Sequence, residues 1–223
     1  MKKLTALPGI LITLMVPFFL GLTSARIVFN SFYLDYEYNL PNFPADPFGF
    51  TVQDRLKWGK LSLDYLFNQA GPEFLSSQKL PDGSPLYNER EMSHMVDVKN
   101  VIQKAQIVWY VISSLLILAA ILTWRTEWKA FYWRSVARGG FLTILLILLV
   151  LLGVAINFDQ FFADFHGLFF ASGSWLFYES DTLIRLFPLK LWSDGFTFTG
   201  ILTLTGAILT GVLGTRISQK KSQ

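Results

Sequence analysis

The chain has 223 residues, of which 52% are hydrophobic and 16% charged, with no cysteine and a formal charge of +3. That charge content lies well below the roughly 25% usual in soluble domains, and the absence of cysteine excludes disulfides and a thiol nucleophile. The small basic excess does not point to nucleic acid, because it clusters beside apolar stretches in the manner of membrane topology.

Four windows contain no Asp, Glu, Lys or Arg: Leu4 to Ala25, Ala105 to Trp124, Gly139 to Phe158 and Gly195 to Thr215. Each is close to the ~20 residues a helix needs to cross ~30 Å of hydrocarbon. The predicted fold is a mainly α membrane protein, one integral domain over 1–223, with four transmembrane helices at about 5–25, 105–124, 139–158 and 195–215. The first window also resembles a secretory signal, with Lys2 and Lys3 before it and Thr23-Ser24-Ala25 after it. Its apolar run exceeds the usual ~7–15 residues of a signal core, so a retained span is expected.

Placing the start of the chain in the cytoplasm puts Lys2, Lys3, Arg125, Lys129, Arg134, Arg138, Arg216, Lys220 and Lys221 inside against one acid, Glu127. Short basic loops stay inside. The expectation is a multi-pass cell-membrane protein with both termini cytoplasmic and an extracytoplasmic cap formed by 26–104 and 159–194.

In the first cap segment, the Phe- and Tyr-rich stretch from Ile27 to Tyr38 predicts extended or strand-like structure. A proline-punctuated linker follows from Leu40 to Pro47. Thr51-Val52-Gln53-Asp54 resembles a capping box and predicts an amphipathic helix with Leu56, Leu63 and Leu66 on its apolar face. Pro81-Asp82-Gly83-Ser84-Pro85 reads as a turn. Asn88-Glu89-Arg90-Glu91 is a second cap-like start, and no Pro or Gly interrupts the chain between Glu89 and Trp124, so one helix is predicted to run on into the second span. On it His94, Asp97, Val98 and Val101 are expected to share a face, with Arg90 and Glu91 one turn before.

The second cap segment crowds Phe158, Phe161, Phe162, Phe165, Phe169, Phe170, Trp175, Phe177, Tyr178, Phe187 and Trp192 into a short length. An interfacial aromatic belt accounts for many of them. It accounts less well for His166, Asp159, Asp164 and Asp181 among them.

His94 and His166 are the two histidines of the chain, each a short distance from a span. Singly, either reads first as a structural residue. Together, in a chain without cysteine, they are the natural candidates for proton transfer near neutral pH. Ser174 and Ser180 lie near His166 but no nucleophile-elbow motif surrounds them. His94, His166, Asp97 and Asp164 lack the tight spacing of a metal site. The windows carry no His or charged residue, which argues against an ion path through the bilayer.

Two stretches carry a family pattern. One is His94-Met95-Val96-Asp97-Val98-Lys99 before a span. The other is Phe165-His166, Ser174-Trp175-Leu176-Phe177, Asp181-Thr182-Leu183-Ile184-Arg185-Leu186-Phe187-Pro188 and Trp192. With the four-span layout, this resembles the lipoprotein intramolecular transacylase (Lit) family of Gram-positive bacteria. The resemblance implies a substrate, lipoproteins whose N-terminal cysteine bears a diacylglyceryl thioether, and a reaction that moves the sn-2 acyl chain to the cysteine α-amine, leaving a lyso-form lipoprotein. It implies that His94 and His166 are catalytic and that the site lies at the outer leaflet.

Amine and ester share one molecule, so no acyl-enzyme nucleophile is required; no cofactor or metal is expected, and the partners are the lipoprotein and membrane lipid. Ring closure passes through roughly eight atoms, so holding the headgroup in a near-attack shape is the main task. Phe162, Phe165, Phe169 and Trp175 are the expected walls, excluding water. His166, among aromatic rings that favour its neutral form, is the expected base. His94 would polarise the carbonyl or protonate the leaving oxygen, oriented by Asp97 or Glu91. Arg90, Lys99 and Arg185 are candidates for oxyanion or headgroup contact, although solvated charges are the plainer reading of each, and Asp181 is a candidate support. A non-catalytic lipid-binding protein and a metal-dependent hydrolase using the same histidines are the alternatives from the residues alone. Oligomeric state has no signature in the sequence.

Overall fold

The computed structural model of the chain describes Ala6 to Gln219, so Lys2, Lys3, Lys220, Lys221 and the predicted start of the first span at residue 5 lie outside the described residues. Among the described residues the fold is helical, without strands; a single antiparallel bridge pairs Lys79 with Pro85. Four helices are long and apolar enough to cross a membrane: α1 (Ala6–Val28), α5 (Glu89–Thr123), α6 (Lys129–Ile156) and α9 (Leu189–Gln219). The shorter helices are α2 (Ser31–Tyr38), α3 (Val52–Phe67), α4 (Glu73–Ser76), α7 (Phe158–Phe169) and α8 (Thr182–Leu186). The chain is thus a multi-pass membrane protein with four transmembrane helices.

Two compact units divide the fold. The first takes the described residues within Met1–Val28, Gln106–Ile156 and Phe196–Gln223; the second is Phe29–Ala105 with Asn157–Gly195. In the first unit, leucines and isoleucines such as Leu118, Ile121, Leu149 and Leu209 point outward, as expected of helices whose solvent is lipid. Small residues make the helix contacts instead. A Cβ on Gly140 of α6 would lie 2.7 Å from the Gly211 nitrogen and 2.8 Å from the Ala207 carbonyl of α9. Val16, Tyr132 and Val136 form the buried cluster between α1 and α6, flanked by Ile12, Leu20, Ala119 and Ala120. Polar side chains cross helices sparingly: Thr13 Oγ1 donates to the Ser135 carbonyl at 3.1 Å, and Tyr132 Oη to the Leu116 carbonyl at 3.0 Å.

The second unit departs from the sequence expectation at its start. Residues 27–38 form no strand but two helices joined at a bend, Phe29–Asn30: α1 runs to Val28, and Asn30 then caps α2 by accepting from the Phe32 and Tyr33 N–H groups. Buried Tyr33, Leu34, Glu37 and Tyr38 repeat at i, i+1, i+4 and i+5. A side-chain cap and a helical burial pattern outweigh the β-preference of the aromatic residues. The capping box at Thr51 and Asp54 is formed, but the buried face of α3 is Arg55, Trp58, Gly59, Ser62, Tyr65 and Leu66. Leu56 and Leu63 sit half-buried at its edge. Aromatic and polar side chains claim the centre because the hydroxyls find partners there, as in the 2.6 Å bond between Ser62 Oγ and Tyr87 Oη.

Gly83, at φ +85°, makes the predicted turn possible, since a Cβ would strain that backbone. The predicted long helix is present as α5, 35 residues in length, or about 52 Å at 1.5 Å per residue. It opens with a reciprocal cap: Glu91 N–H donates to Asn88 Oδ1 at 3.0 Å and Asn88 N–H to Glu91 Oε2 at 2.8 Å. The third charge-free window overshoots its helix. α6 ends at Ile156, and extended Asn157 caps α7 by accepting from the Gln160 N–H; a count of uncharged residues cannot see such a break.

Candidate active site

His94 and His166 face one another inside the second unit. Their ring centroids are 6.2 Å apart with planes 24° from parallel. His94 lies on the buried stripe of α5, with Glu91, Met95 and Lys99, and is 6% exposed. His166 sits in the last turn of α7.

Aromatic rings enclose the pair. Around His166 stand Phe162 at 4.0 Å, Trp175 at 4.9 Å, Phe170 at 5.5 Å and Phe165 at 5.9 Å between centroids. Against His94 lie Phe170 at 4.8 Å and Phe177 at 5.4 Å. Phe170 therefore touches both imidazoles. Phe169 packs on Phe165 and Phe170 and is largely exposed; it meets neither imidazole in these contacts.

The tautomer of His166 follows from the hydrogen bond its ring makes. Nδ1 is 2.9 Å from the Phe162 carbonyl, which can only accept, so Nδ1 carries the hydrogen and the neutral ring keeps its lone pair on Nε2. Burial lowers the His166 pKa from its ordinary 6.5 even though the bond to Phe162 opposes the shift. Burial, and then the neighbouring His166 ring, pull His94 down to about 4. Both rings are neutral at pH 7. His94 Nδ1 is buried without a hydrogen-bond partner among the described residues, an arrangement that invites a polar group of a ligand.

The charged candidates are distributed differently. Asp97 is exposed and does not share the buried stripe of His94. Glu91 does share it, but its oxygens are occupied: Oε2 accepts from Asn88 N–H, and Oε1 from the Leu183 N–H of α8 at 2.6 Å. Glu91 thus joins α5 to α8 and gives His94 no hydrogen bond. Lys99 is buried, donating to Asn68 Oδ1 at 3.1 Å and the Ala70 carbonyl at 2.6 Å over the Tyr65 ring. Arg185 pairs with Asp46 at 2.9 Å and stacks 3.5 Å from the Phe50 centroid. Arg90 pairs with Asp181 at 3.1 Å and lies over Phe177 and Tyr178, while Asp181 Oδ2 also accepts the Tyr178 N–H at 2.9 Å. Arg90 and Asp181 thereby anchor the strand of chain that carries Phe177 to His94. Among the described residues no three His, Cys, Asp or Glu side chains converge as a metal-ligand group.

The sequence pattern of a family described as "Lipoprotein intramolecular transacylase Lit" matches residues 10–192. The chain belongs to this family. It is a membrane acyltransferase, a lipoprotein intramolecular transacylase. A similar relative, an uncharacterised protein of Aquifex aeolicus (strain VF5), is 35% identical over 224 residues and 99% of each chain. The fold is similar to that of the Lit transacylase of Bacillus cereus solved in meso, at a TM-score of 0.78 and 23% identity over 97% of each chain. A second structure of the Bacillus cereus protein, with one histidine replaced by arginine, gives a TM-score of 0.71 over 97% of this chain and 92% of that one, at 23% identity.

Phe170 stood in the sequence only as a member of an aromatic crowd, and Phe177 closed the Ser174-Trp175-Leu176-Phe177 stretch of the family pattern without being named as a wall. Phe170 is one helical turn after His166, a spacing that could have singled it out. No spacing tied Phe177 to His94, because the Arg90–Asp181 pair that delivers it joins residues distant in sequence.

Proposed function

We propose that this family member moves the sn-2 acyl chain of the diacylglyceryl group to the α-amine of the N-terminal cysteine of bacterial lipoproteins, with His94 and His166 as the proton-handling pair. The observation that carries the reading is two ring-enclosed imidazoles 6.2 Å apart, each with a nitrogen suited to a substrate. His166 Nε2 has a lone pair aimed away from the helix carbonyl that holds Nδ1. It takes the amine proton as nitrogen closes on the ester carbonyl. The C–N bond forms, the C–O bond breaks, and the sn-2 oxygen leaves with a proton returned by the imidazole pair. His94 Nδ1, buried and unpartnered, is suited to polarise the carbonyl or hand that proton over. A neutral imidazole at pH 7 can do either without first losing a proton.

Phe162, Phe165, Phe170, Phe177 and Trp175 hold the headgroup folded toward its roughly eight-membered ring and keep water from the ester. Arg90 and Asp181 position this wall, and Lys99, Glu91 and Arg185 hold the helices and loops that carry it. The site is assigned to the outer leaflet with both termini cytoplasmic. Supporting this, Arg125, Lys129, Arg134 and Arg138 crowd the short segment around the start of α6, and His94 lies about three helical turns before residue 105 on α5. Packing of α1 against α6 through Val16, Tyr132 and Val136 supports a retained first span.

The test is mass spectrometry with fragmentation of a model diacylglyceryl lipopeptide. Wild type converts it to an isobaric lyso-form with N-acyl cysteine, while His94→Ala and His166→Ala each lose about 10²–10⁴-fold in rate with unchanged melting. Wild-type rates from either folded variant end the mechanism. NMR titration of the two imidazoles should place both midpoints below the ordinary histidine value of 6.5, because burial lowers the pKa of both rings. A midpoint above that value for either ring contradicts the assignment of buried imidazoles that favour the neutral form.

A further inference from the structure

Glu37 of α2 is a buried acid that the acyl transfer does not use. It is 0% exposed, and no donor among the described residues reaches either of its oxygens; a hydrogen bond to the Asp194 carboxyl is open to it only when one of the two acids is protonated. An ionised carboxylate in that position would cost far more than a carboxylic acid, which can donate its proton to a neighbour. Its neighbour is a second carboxyl, Asp194 at the start of α9, whose Oδ2 accepts from Lys190 Nζ at 2.6 Å. One ammonium therefore stands against two carboxyl groups. Tyr33 lies one turn earlier on α2 and feels both acids. From α3, Arg55 lies over the Tyr38 ring and Lys60 pairs with Asp35 instead.

The same junction backs the active site. Tyr33 Oη donates to the Leu191 carbonyl, Tyr38 Oη to the Leu186 carbonyl, and Phe29 meets Trp192 at 5.5 Å. Trp192 in turn lies 6.1 Å from Phe162, the residue whose ring and carbonyl hold His166. We propose that Glu37 is kept as a carboxylic acid sharing its proton with Asp194, and that this contact between α2 and α9 holds Trp192 and Phe162 behind His166. Glu37 is then a positioning residue, and its ionisation sets the alkaline limit of the reaction.

Burial first, and then the Asp194 charge, push the Glu37 carboxyl up from 4.5 to about 7, against a partial pull from Lys190. The folded protein keeps a proton that the unfolded chain has lost. The stability from this group is therefore complete below 4.5, declines as pH rises toward about 7, and is absent above it. Losing that proton leaves two carboxylates facing Lys190 and drives α2 from residues 190–194. Deprotonation of the substrate amine, with an ordinary pKa of about 7.7–8.0, acts in the opposite direction by raising the rate.

The activity arm rests on the histidine reading; the stability and infrared arms do not. With the full-length protein in detergent, wild-type melting temperature should decline between about pH 4.5 and 7, while Glu37→Gln, which keeps the shape of the neutral acid, should lack that decline. Glu37→Gln should match wild-type kcat/KM within about twofold near pH 6, and lose the roughly tenfold fall per pH unit that wild type shows on its alkaline limb. Infrared spectra of wild type should show a protonated-carboxyl band that vanishes as pH rises and is missing in Glu37→Gln. If that variant does not fold, Asp194→Asn provides the comparison, since removing the charge that raises the Glu37 pKa should make the band vanish at lower pH than in wild type; a band that stays in place or moves to higher pH overturns the shared proton. An identical pH slope of melting in wild type and Glu37→Gln, or no titrating carboxyl band in wild type, overturns the shared proton. A flattened melting slope with an unchanged alkaline limb overturns the positioning role alone. Inactivity of wild type at every pH with both physical signatures intact points to failure of the histidine reading instead.

Discussion

The unit built from α1, α6 and the later parts of α5 and α9 is held by close backbone approach, whereas the unit carrying the two histidines is held by buried charge. In the first, glycine lets helices touch, and many side-chain hydroxyls merely fold back on their own helix, as Thr143 does on Gly139 and Thr203 on Thr199. In the second, Arg185, Arg55, Glu91 and Lys99 reach residues far away in sequence. The contrast follows from solvent. Lipid offers no hydrophobic force between helices, so steric fit decides, while a polar segment with short helices must tie its loops down through hydrogen bonds that burial makes obligatory.

The sharpest break of this comparison is Asp46→Ala. Its carboxylate holds the Arg185 guanidinium at 2.9 Å, with 1% of the Asp46 side chain and 12% of the Arg185 side chain exposed. Removing one partner of such a pair typically costs about 3–5 kcal/mol. Burial alone would raise the Asp46 pKa, but Arg185 and the Phe50 N–H outweigh it and hold the group below its ordinary value. The stabilisation is therefore present above the unfolded carboxylate range near pH 3.9 and is lost only as pH falls through the lower folded value. Denaturant titration near neutral pH measures the loss; a variant as stable as wild type would show that charge does not hold this unit.

Gly140→Ala tests the other side. One methyl group would meet backbone atoms of α9 at 2.7 and 2.8 Å, so the helices must separate. Overpacking of this kind costs about 1–3 kcal/mol. The expected readout is a lower melting temperature in detergent, with greater loss for Gly140→Val. Unchanged melting in both would remove the close-approach account of α6 against α9.

How much of this was legible depended on the range of the interaction. The spans could be read because charge is forbidden locally, and α5 because nothing between Glu89 and Trp124 breaks a helix. The capping boxes at Thr51 and Asn88 were legible for the same reason. Residues 27–38 were misread because their aromatic content suggests strand, while the deciding groups are one Asn side chain and a face buried against distant chain. The α3 face was rotated because hydrophobicity marks Leu56 and Leu63, but the partners of Ser62 and Arg55 decide which side is inward. Asp97 was set beside His94 by spacing alone. Helical register allows that neighbourhood, and only the packing of α5 shows that its buried stripe runs through Glu91, Met95 and Lys99 instead. The opposed imidazoles required the third dimension.

The finest contrast lies at the Asn88 cap, where a local signal and a long-range one meet. Asn88 Oδ1 accepts the Glu91 N–H, its own N–H binds Glu91 Oε2, and its Nδ2 reaches Asp181 at 3.3 Å. Asn88→Ala removes the side-chain cap and the Asp181 contact but leaves the Glu91 carboxylate with both backbone donors. The cost should be about 1 kcal/mol, that of a cap, and below that of Asp46→Ala. Asn88→Ser, which restores the cap without the reach to Asp181, should recover most of it, as thermal melting of the three proteins would measure. If the serine variant recovers nothing, the bond to Asp181 carries the larger share, and the rule that long-range polar contacts dominate this unit extends even to its helix ends.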